Sequence, residues 1–329
     1  MDDSALDKNT QRHEIERYLA SIYAGCADDN GGKVADYIPE LAGVEPDRFG
    51  IAVAAVDGRL WTCGDADTAF TIQSVSKAFT FCIALELVGR QKVLSHVGVE
   101  PSGDAFNAIV FDPHTNRPFN PMVNAGAITI SSLIHKALGD EAMNLVLRRF
   151  SEAAGRELDI SEAVYRSETQ TGHRNRAIAH LLLNVGATQA PVEPGLDLYF
   201  RQCSILVTAT DLARMGATLA NLGRNPLTGK QVFDLSAVRD TLSVMFTCGM
   251  YDYSGNWVLD VGVPCKSGVG GGIMGAVNRQ LGIGTFSPRL DEKGNSVRGL
   301  HVFKQLADEF GLHAFECTNF GSEFVRGLL

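Results

Sequence analysis

The sequence predicts an α+β fold: a mixed sheet flanked by helices, assembled from both ends of the chain, with a large all-helical insertion between. Three observations lead there. β-rich runs stand at residues 49–63 and return at residues 257–286. From about Gly89 to Met250 the strand signal nearly vanishes, and helical patterns separated by Gly and Pro fill the interval. On this plan residues 1–88 and 255–329 form one sheet subdomain and residues 89–254 an inserted helical one.

The elements follow in order. Ile15, Tyr18, Leu19, Ile22 and Tyr23 fall at helical spacing and give a first amphipathic helix, ended by Asp28-Asp29-Asn30-Gly31-Gly32. The run 49–56, the Asp57-Gly58 turn and the run 59–63 read as a hairpin. A helix opens at Ser74. It is apolar nearly all round, with Ala78, Phe79, Phe81, Ile83, Ala84, Leu85, Leu87 and Val88, and so should run through a core. Helices are expected at 124–138, 141–154, 173–184, 210–221 and 235–246, with Glu193-Pro194-Gly195 and Asn225-Pro226 as breaks between them. Strands are expected at 257–263, 273–277 and 280–286, and a closing amphipathic helix at 297–310.

Composition narrows the function. At 329 residues, 45% apolar and with mean hydropathy near zero, the chain is globular and can bury a sizeable core. A net charge of -9 and a pI near 5.4 argue against nucleic acid as a partner. Met1 to Lys8 lack the basic and apolar regions of a signal peptide, and no apolar run reaches membrane-spanning length, so a cytoplasmic protein with no membrane partner is expected. Cys26, Cys63, Cys82, Cys203, Cys248, Cys265 and Cys317 are scattered without C-x-x-C spacing and read as reduced thiols. The histidines show no ligand spacing, so no metal is expected.

The chemistry concentrates at Ser74 and Lys77, spaced i, i+3 so that both side chains leave one face of a helical turn. A serine hydroxyl becomes a nucleophile when a base takes its proton, and a lysine serves as base once burial and the positive helix end disfavour its charge. Alone, Ser-x-x-Lys is far more often a helix cap beside a solvated lysine. Ser76, at i+2, points off that face. The stretch Lys266-Ser267-Gly268-Val269-Gly270-Gly271-Gly272 puts a lysine on a strand edge beside glycines that would let a substrate amide approach closely. Gly270, Gly272 and Gly275 match a dinucleotide fingerprint in form, yet no βαβ unit follows and a nucleotide site is rejected.

Ser74-x-x-Lys77 opening a helix, a long helical insertion, and Lys266-Ser267-Gly268 on a returning strand resemble the serine β-lactamase and transpeptidase-like fold. The chain is more closely similar to the glutaminases that share that fold. Six stretches carry the resemblance: Tyr37 to Leu41, Gln73 to Lys77, Pro118 to Ala127, Glu168 to Asn175, Gly249 to Asp252, and Lys266 to Gly272. They span roughly Tyr18 to Gly311. The resemblance implies Ser74 as nucleophile and Lys77 as base, with Tyr37 and Tyr251 lining the reaction centre. It also implies that Ser74, Asn124, Glu168, Asn175, Tyr199, Tyr251 and Val269 bind L-glutamine, that backbone N–H groups of Ser74 and Val269 hold the oxyanion, and that no cofactor takes part. Lys266 is expected to add positive field beside Lys77. Family members assemble as dimers or tetramers, so a homo-oligomer, and specifically a homotetramer, is expected. Two readings stay open beside it: a β-lactamase-like hydrolase or transpeptidase acting on another amide, whose Ser-Asp-Asn motif is here only outlined by Ser254-Gly255-Asn256, and a non-catalytic amino-acid sensor.

Overall fold

Strands from the two ends of the chain meet in one five-stranded sheet. The computed structural model describes residues 3–105 and 107–316. In chain order the elements are α1 (Asp3–Ala27), α2 (Pro39–Ala42), β1 (Gly50–Ala55), β2 (Leu60–Gly64), β3 (Phe70–Thr71), a 3-10 turn (Gln73–Val75), α3 (Ser76–Val88), α4 (Arg90–Leu94), α5 (Asn124–Leu138), α6 (Ala142–Ala154), α7 (Glu162–Thr171), α8 (His173–Asn184), α9 (Glu193–Cys203), β4 (Leu206–Val207), α10 (Ala209–Ala220), α11 (Leu235–Cys248), α12 (Ser254–Asp260), β5 (Cys265–Ser267), β6 (Gly272–Val277), β7 (Leu281–Phe286) and α13 (Val297–Phe310). The sheet order is β2-β1-β7-β6-β5, and β3 pairs with β4 in a separate ribbon.

Every pairing is antiparallel, where a mixed sheet was expected. Each neighbour in the β5-β6-β7 run is joined by a tight turn, which permits only antiparallel pairing, and β1 lies against β7 in the same sense. Both faces of the sheet are buried, so β1 is apolar throughout and does not alternate. Ile51 and Val53 pack with Ile273, Ile283, Leu19 of α1 and Val302 and Phe303 of α13. Ala52 and Ala54 join the other core, with α3, α10 and Phe286.

Helix α10 lies flush on β7 because that strand carries glycine at the contact. A Cβ on Gly284 would stand 2.1 Å from the Ala209 carbonyl oxygen. Gly284→Ala should therefore force α10 off the sheet and cost about 1 to 3 kcal/mol. Urea unfolding would register this as a lower midpoint, and an unchanged midpoint would mean that the helix can retreat without loss.

Three expectations need correction. Residues 257–263 are expected as a strand but Ser254–Asp260 is helical, with Trp257 buried and Leu259 78% exposed. A short apolar run fits either period, and Ser254, whose hydroxyl donates to the Tyr251 carbonyl and accepts from Met250 N–H, anchors the start of this helix. Helix α9 starts at Glu193-Pro194, where the sequence suggests a break; proline in a first helical turn forfeits no hydrogen bond. Helix α7 was missed because only Val164 and Glu168 of its ten residues are buried, too few to make a stripe.

Candidate active site

Ser74 sits in the 3-10 turn that leads into α3, so the nucleophile stands just before the α-helix and Lys77 within its first turn. Gln73 precedes it with φ 47, a left-handed conformation that turns the chain sharply into the helix. All residues from Ser76 to Leu85 are buried, so α3 is a rigid mount. The glycine-rich 268–270 stretch packs on this turn. A Cβ on Gly270 would fall 2.5 Å from the Thr71 carbonyl oxygen, and one on Gly268 3.0 Å from that of Ile72. These glycines admit the protein's own backbone. Val269 is thereby held beside Ser74 in one cavity of 260 Å³.

Lys77 is 1% exposed, and its Nζ lies 3.0 Å from Ser74 Oγ and 2.6 Å from Asn124 Oδ1. Burial pushes its ammonium down to about 8, with Cys203 and Glu168 pulling the other way. The Ser74 hydroxyl is also in hydrogen-bonding contact with Tyr251, whose own hydroxyl donates to the Ser267 carbonyl at 2.9 Å. Burial raises the Tyr251 phenol well above its ordinary value. Ser76, the rival hydroxyl, donates to the Gln73 carbonyl at 2.7 Å and is fully buried.

Across the cavity stand the groups suited to a free amino acid. Glu168 on α7 is buried, its carboxyl raised by burial, and among the described residues it makes no ion pair. It accepts the Tyr37 hydroxyl at 2.8 Å, and Tyr37 also donates to Gln73 Oε1 at 3.2 Å. Tyr37 is 49% exposed with only its hydroxyl turned inward. Its segment is pinned by Arg298, which donates to the Asp29 and Asp47 carbonyls, and by pairing of Lys33 with Leu290. Asn124 Nδ2 donates to Asn175 Oδ1 at 3.0 Å, so the Asn175 amide nitrogen is turned to other acceptors. Tyr199 on α9 lines the same cavity, its phenol raised by burial.

The structure thus brings Tyr37, Ser74, Asn124, Glu168, Asn175, Tyr199 and Val269 to one cavity, with Lys77 and Tyr251 beneath Ser74. Lys266 is near but fully buried. Burial and the charge of Lys77 lower its pKa well below the ordinary lysine value. Gln73, Asn107, Thr171, Gly172, Arg174 and Cys203 also line the cavity and were given no role from sequence. Arg174, tied through Nε to the Asn107 carbonyl at 2.7 Å, lies inside the stretch that supplied Glu168 and Asn175, so its neighbourhood was legible and its function was not. A larger cavity of 700 Å³ opens on the far side of α9, lined by Arg176, Asp197 and Arg201, and holds no nucleophile and base pair.

A glutaminase family model matches residues 32–315. The chain belongs to the glutaminase family. It is 52% identical over 303 residues to a glutaminase of Microcystis aeruginosa, covering 92% of this chain and 90% of that one. Among solved structures it resembles a probable glutaminase, ybaS, at TM-score 0.90 and 40% identity over 93% of this chain and 99% of that one. It also resembles Mglu in its glutamate form, at TM-score 0.88 and 44% identity over 93% and 71%. The family's fold is the β-lactamase-like one, and its chemistry is hydrolysis of the glutamine amide. No described helix is long and apolar enough to cross a membrane.

Proposed function

We propose that this chain hydrolyses the side-chain amide of L-glutamine to L-glutamate and ammonia through a γ-glutamyl ester on Ser74. The observation that carries the reading is the pairing of Ser74 Oγ, 3.0 Å from a buried lysine amine, with a buried Glu168 in the same cavity that makes no ion pair among the described residues. Neutral Lys77 takes the Ser74 proton as Oγ attacks the carboxamide carbon. Backbone N–H groups of Ser74 and Val269 receive the developing oxyanion. The proton then passes from Lys77, directly or through the Tyr251 hydroxyl, to the departing nitrogen, which leaves as ammonia. Water, deprotonated by the same amine, cleaves the ester and restores Ser74.

Glu168 meets the substrate ammonium, which on desolvation needs an anionic partner. The arriving charge favours the ionised carboxylate, against the burial that raises its pKa. Asn175 and Tyr199 supply neutral donors for the carboxylate and carboxamide, while Asn124 chiefly fixes Lys77 and Asn175. Removing one member of a buried charged pair costs about 2 to 5 kcal/mol, so Glu168→Gln should lower kcat/KM for glutamine by roughly 30-fold to several thousandfold. N-acetylglutamine should be a poor substrate of the natural protein. Equal rates with glutamine and its N-acetyl derivative would remove Glu168 from this role.

Ammonia release over a panel of amides tests the whole reading. Turnover of a β-lactam in place of glutamine would favour the transpeptidase-like alternative, and binding without release the sensor. A cytoplasmic homo-oligomer, dimer or tetramer, is part of the proposal. The cytoplasmic part is supported by the unpaired state of the described cysteines, and light scattering would measure the assembly. The division into a sheet unit of residues 1–88 with 255–329 and a helical unit of residues 89–254 is proposed likewise, and limited proteolysis addresses it.

A further inference from the structure

Lys266 lies on the edge strand β5, opposite Met274 of β6, and is fully buried. Its Nζ donates to the Gly249 carbonyl at 3.1 Å and to the Ser267 carbonyl at 2.5 Å, and stands 4.1 Å from the centroid of the Tyr251 ring. The Ser267 carbonyl also accepts the Tyr251 hydroxyl. One amine therefore joins the backbone two residues before Tyr251 to the strand on which that tyrosine rests.

Tyr251 needs such support. Its φ is 58, a left-handed conformation that a bulky residue adopts only when its surroundings impose it. The turn before it lies hard against β5: Ser267 N–H donates to the Gly249 carbonyl, and a Cβ on Gly249 would fall 1.7 Å from the Cys265 carbonyl oxygen.

We propose that Lys266 is the positioning residue of Tyr251, its amine tying the Gly249 and Ser267 carbonyls together under the ring and so holding the phenol hydroxyl against Ser74. This rests on the reading of Ser74 and Tyr251 given above. A neutral amine has two N–H groups, and two carbonyls take both. The groups facing Lys266 favour that form: burial and the charge of Lys77 push its pKa down, against a weaker pull from Cys248, whose thiol burial raises to about 11. Lys266 acts through geometry.

The test is Lys266→Met, which keeps the stem and removes both donors. Glutamine turnover should fall about 100-fold in kcat, with KM nearly unchanged, as for a reacting group displaced by about 1 Å. The acid limb of the pH profile should stay near the Lys77 value of about 8. A limb moved upward by a pH unit or more would overturn the proposal, because it would mean that a positive charge had been removed. Unchanged kcat would overturn it as well. A crystal structure of the variant should find the Tyr251 hydroxyl off Ser74 with the Ser74 to Lys77 contact kept, and an undisturbed Tyr251 would count against the clamp. Should the variant fail to fold, a crystal structure of the natural protein still decides: the Lys266 amine is expected within hydrogen-bond distance of both the Gly249 and Ser267 carbonyls with the Tyr251 hydroxyl against Ser74, and an amine off either carbonyl contradicts the arrangement. A natural protein that releases no ammonia from glutamine would sink the functional reading alone, since the crystallographic arms need no substrate.

Discussion

Ser74→Ala should abolish glutamine turnover, lowering kcat by about four orders of magnitude or more while the protein stays folded. The hydroxyl is the nucleophile proposed for the only route to an acyl intermediate, and its loss leaves substrate binding and the oxyanion donors with nothing to assist. Folding should survive because Ser74 contributes little to the core: Lys77 keeps Asn124 as acceptor, and α3 remains buried from Ser76 onward. Ser76→Ala is the control. Its hydroxyl is engaged with the Gln73 carbonyl, so its removal should cost stability of about 1 kcal/mol and leave turnover standing. A dead Ser76 variant beside an active Ser74 variant would overturn the assignment, and circular dichroism at equal concentration separates loss of chemistry from loss of fold.

The parts of this fold that were legible in the sequence are those where one periodicity had no competitor. Helix α5 was expected at residues 124–138 and runs Asn124–Leu138, because its apolar face repeats over four turns. The Asp57-Gly58 hairpin was equally plain, with Gly58 at φ 92 and Val53 opposite Trp61. Where seven residues had to decide, as at Trp257, either period fitted, and in the folded chain the Ser254 hydroxyl ties the start of the helix to the preceding turn. The site divides in the same way. Ser74 and Lys77 lie in one local stretch, so their pairing could be read from spacing, whereas Glu168 meets Tyr37 across 131 residues and Tyr251 meets Lys266 through a turn and a strand. Such contacts are consequences of topology, and only the resemblance to a family pointed toward them. Lys266 shows the same limit: charge type is written in the sequence, but the burial that lowers its pKa is not.

That distinction between a lysine's presence and its protonation state governs the expected pH behaviour. Lys77 must be neutral to take the Ser74 proton, so kcat/KM of the natural protein should rise about tenfold per unit below pH 8 and level off above it, tracking a pKa of about 8 against the ordinary 10.5. Lys77→Arg should lose about 10³-fold or more across the whole range, because guanidinium keeps its proton at any pH the fold survives. Stability gives an independent reading. The folded pKa lies below the unfolded one, so between about 8 and 10.5 the unfolded chain binds the extra proton and the fold gains stability as pH rises. The contribution is complete above the unfolded value and is lost as pH falls through the folded one, a span of about 3 kcal/mol. Lys77→Met should abolish both the activity and this alkaline gain, measured as the urea midpoint against pH. Substantial turnover by Lys77→Arg would make this lysine an electrostatic or structural group, and the base would then have to be Tyr37, Tyr251 or Lys266.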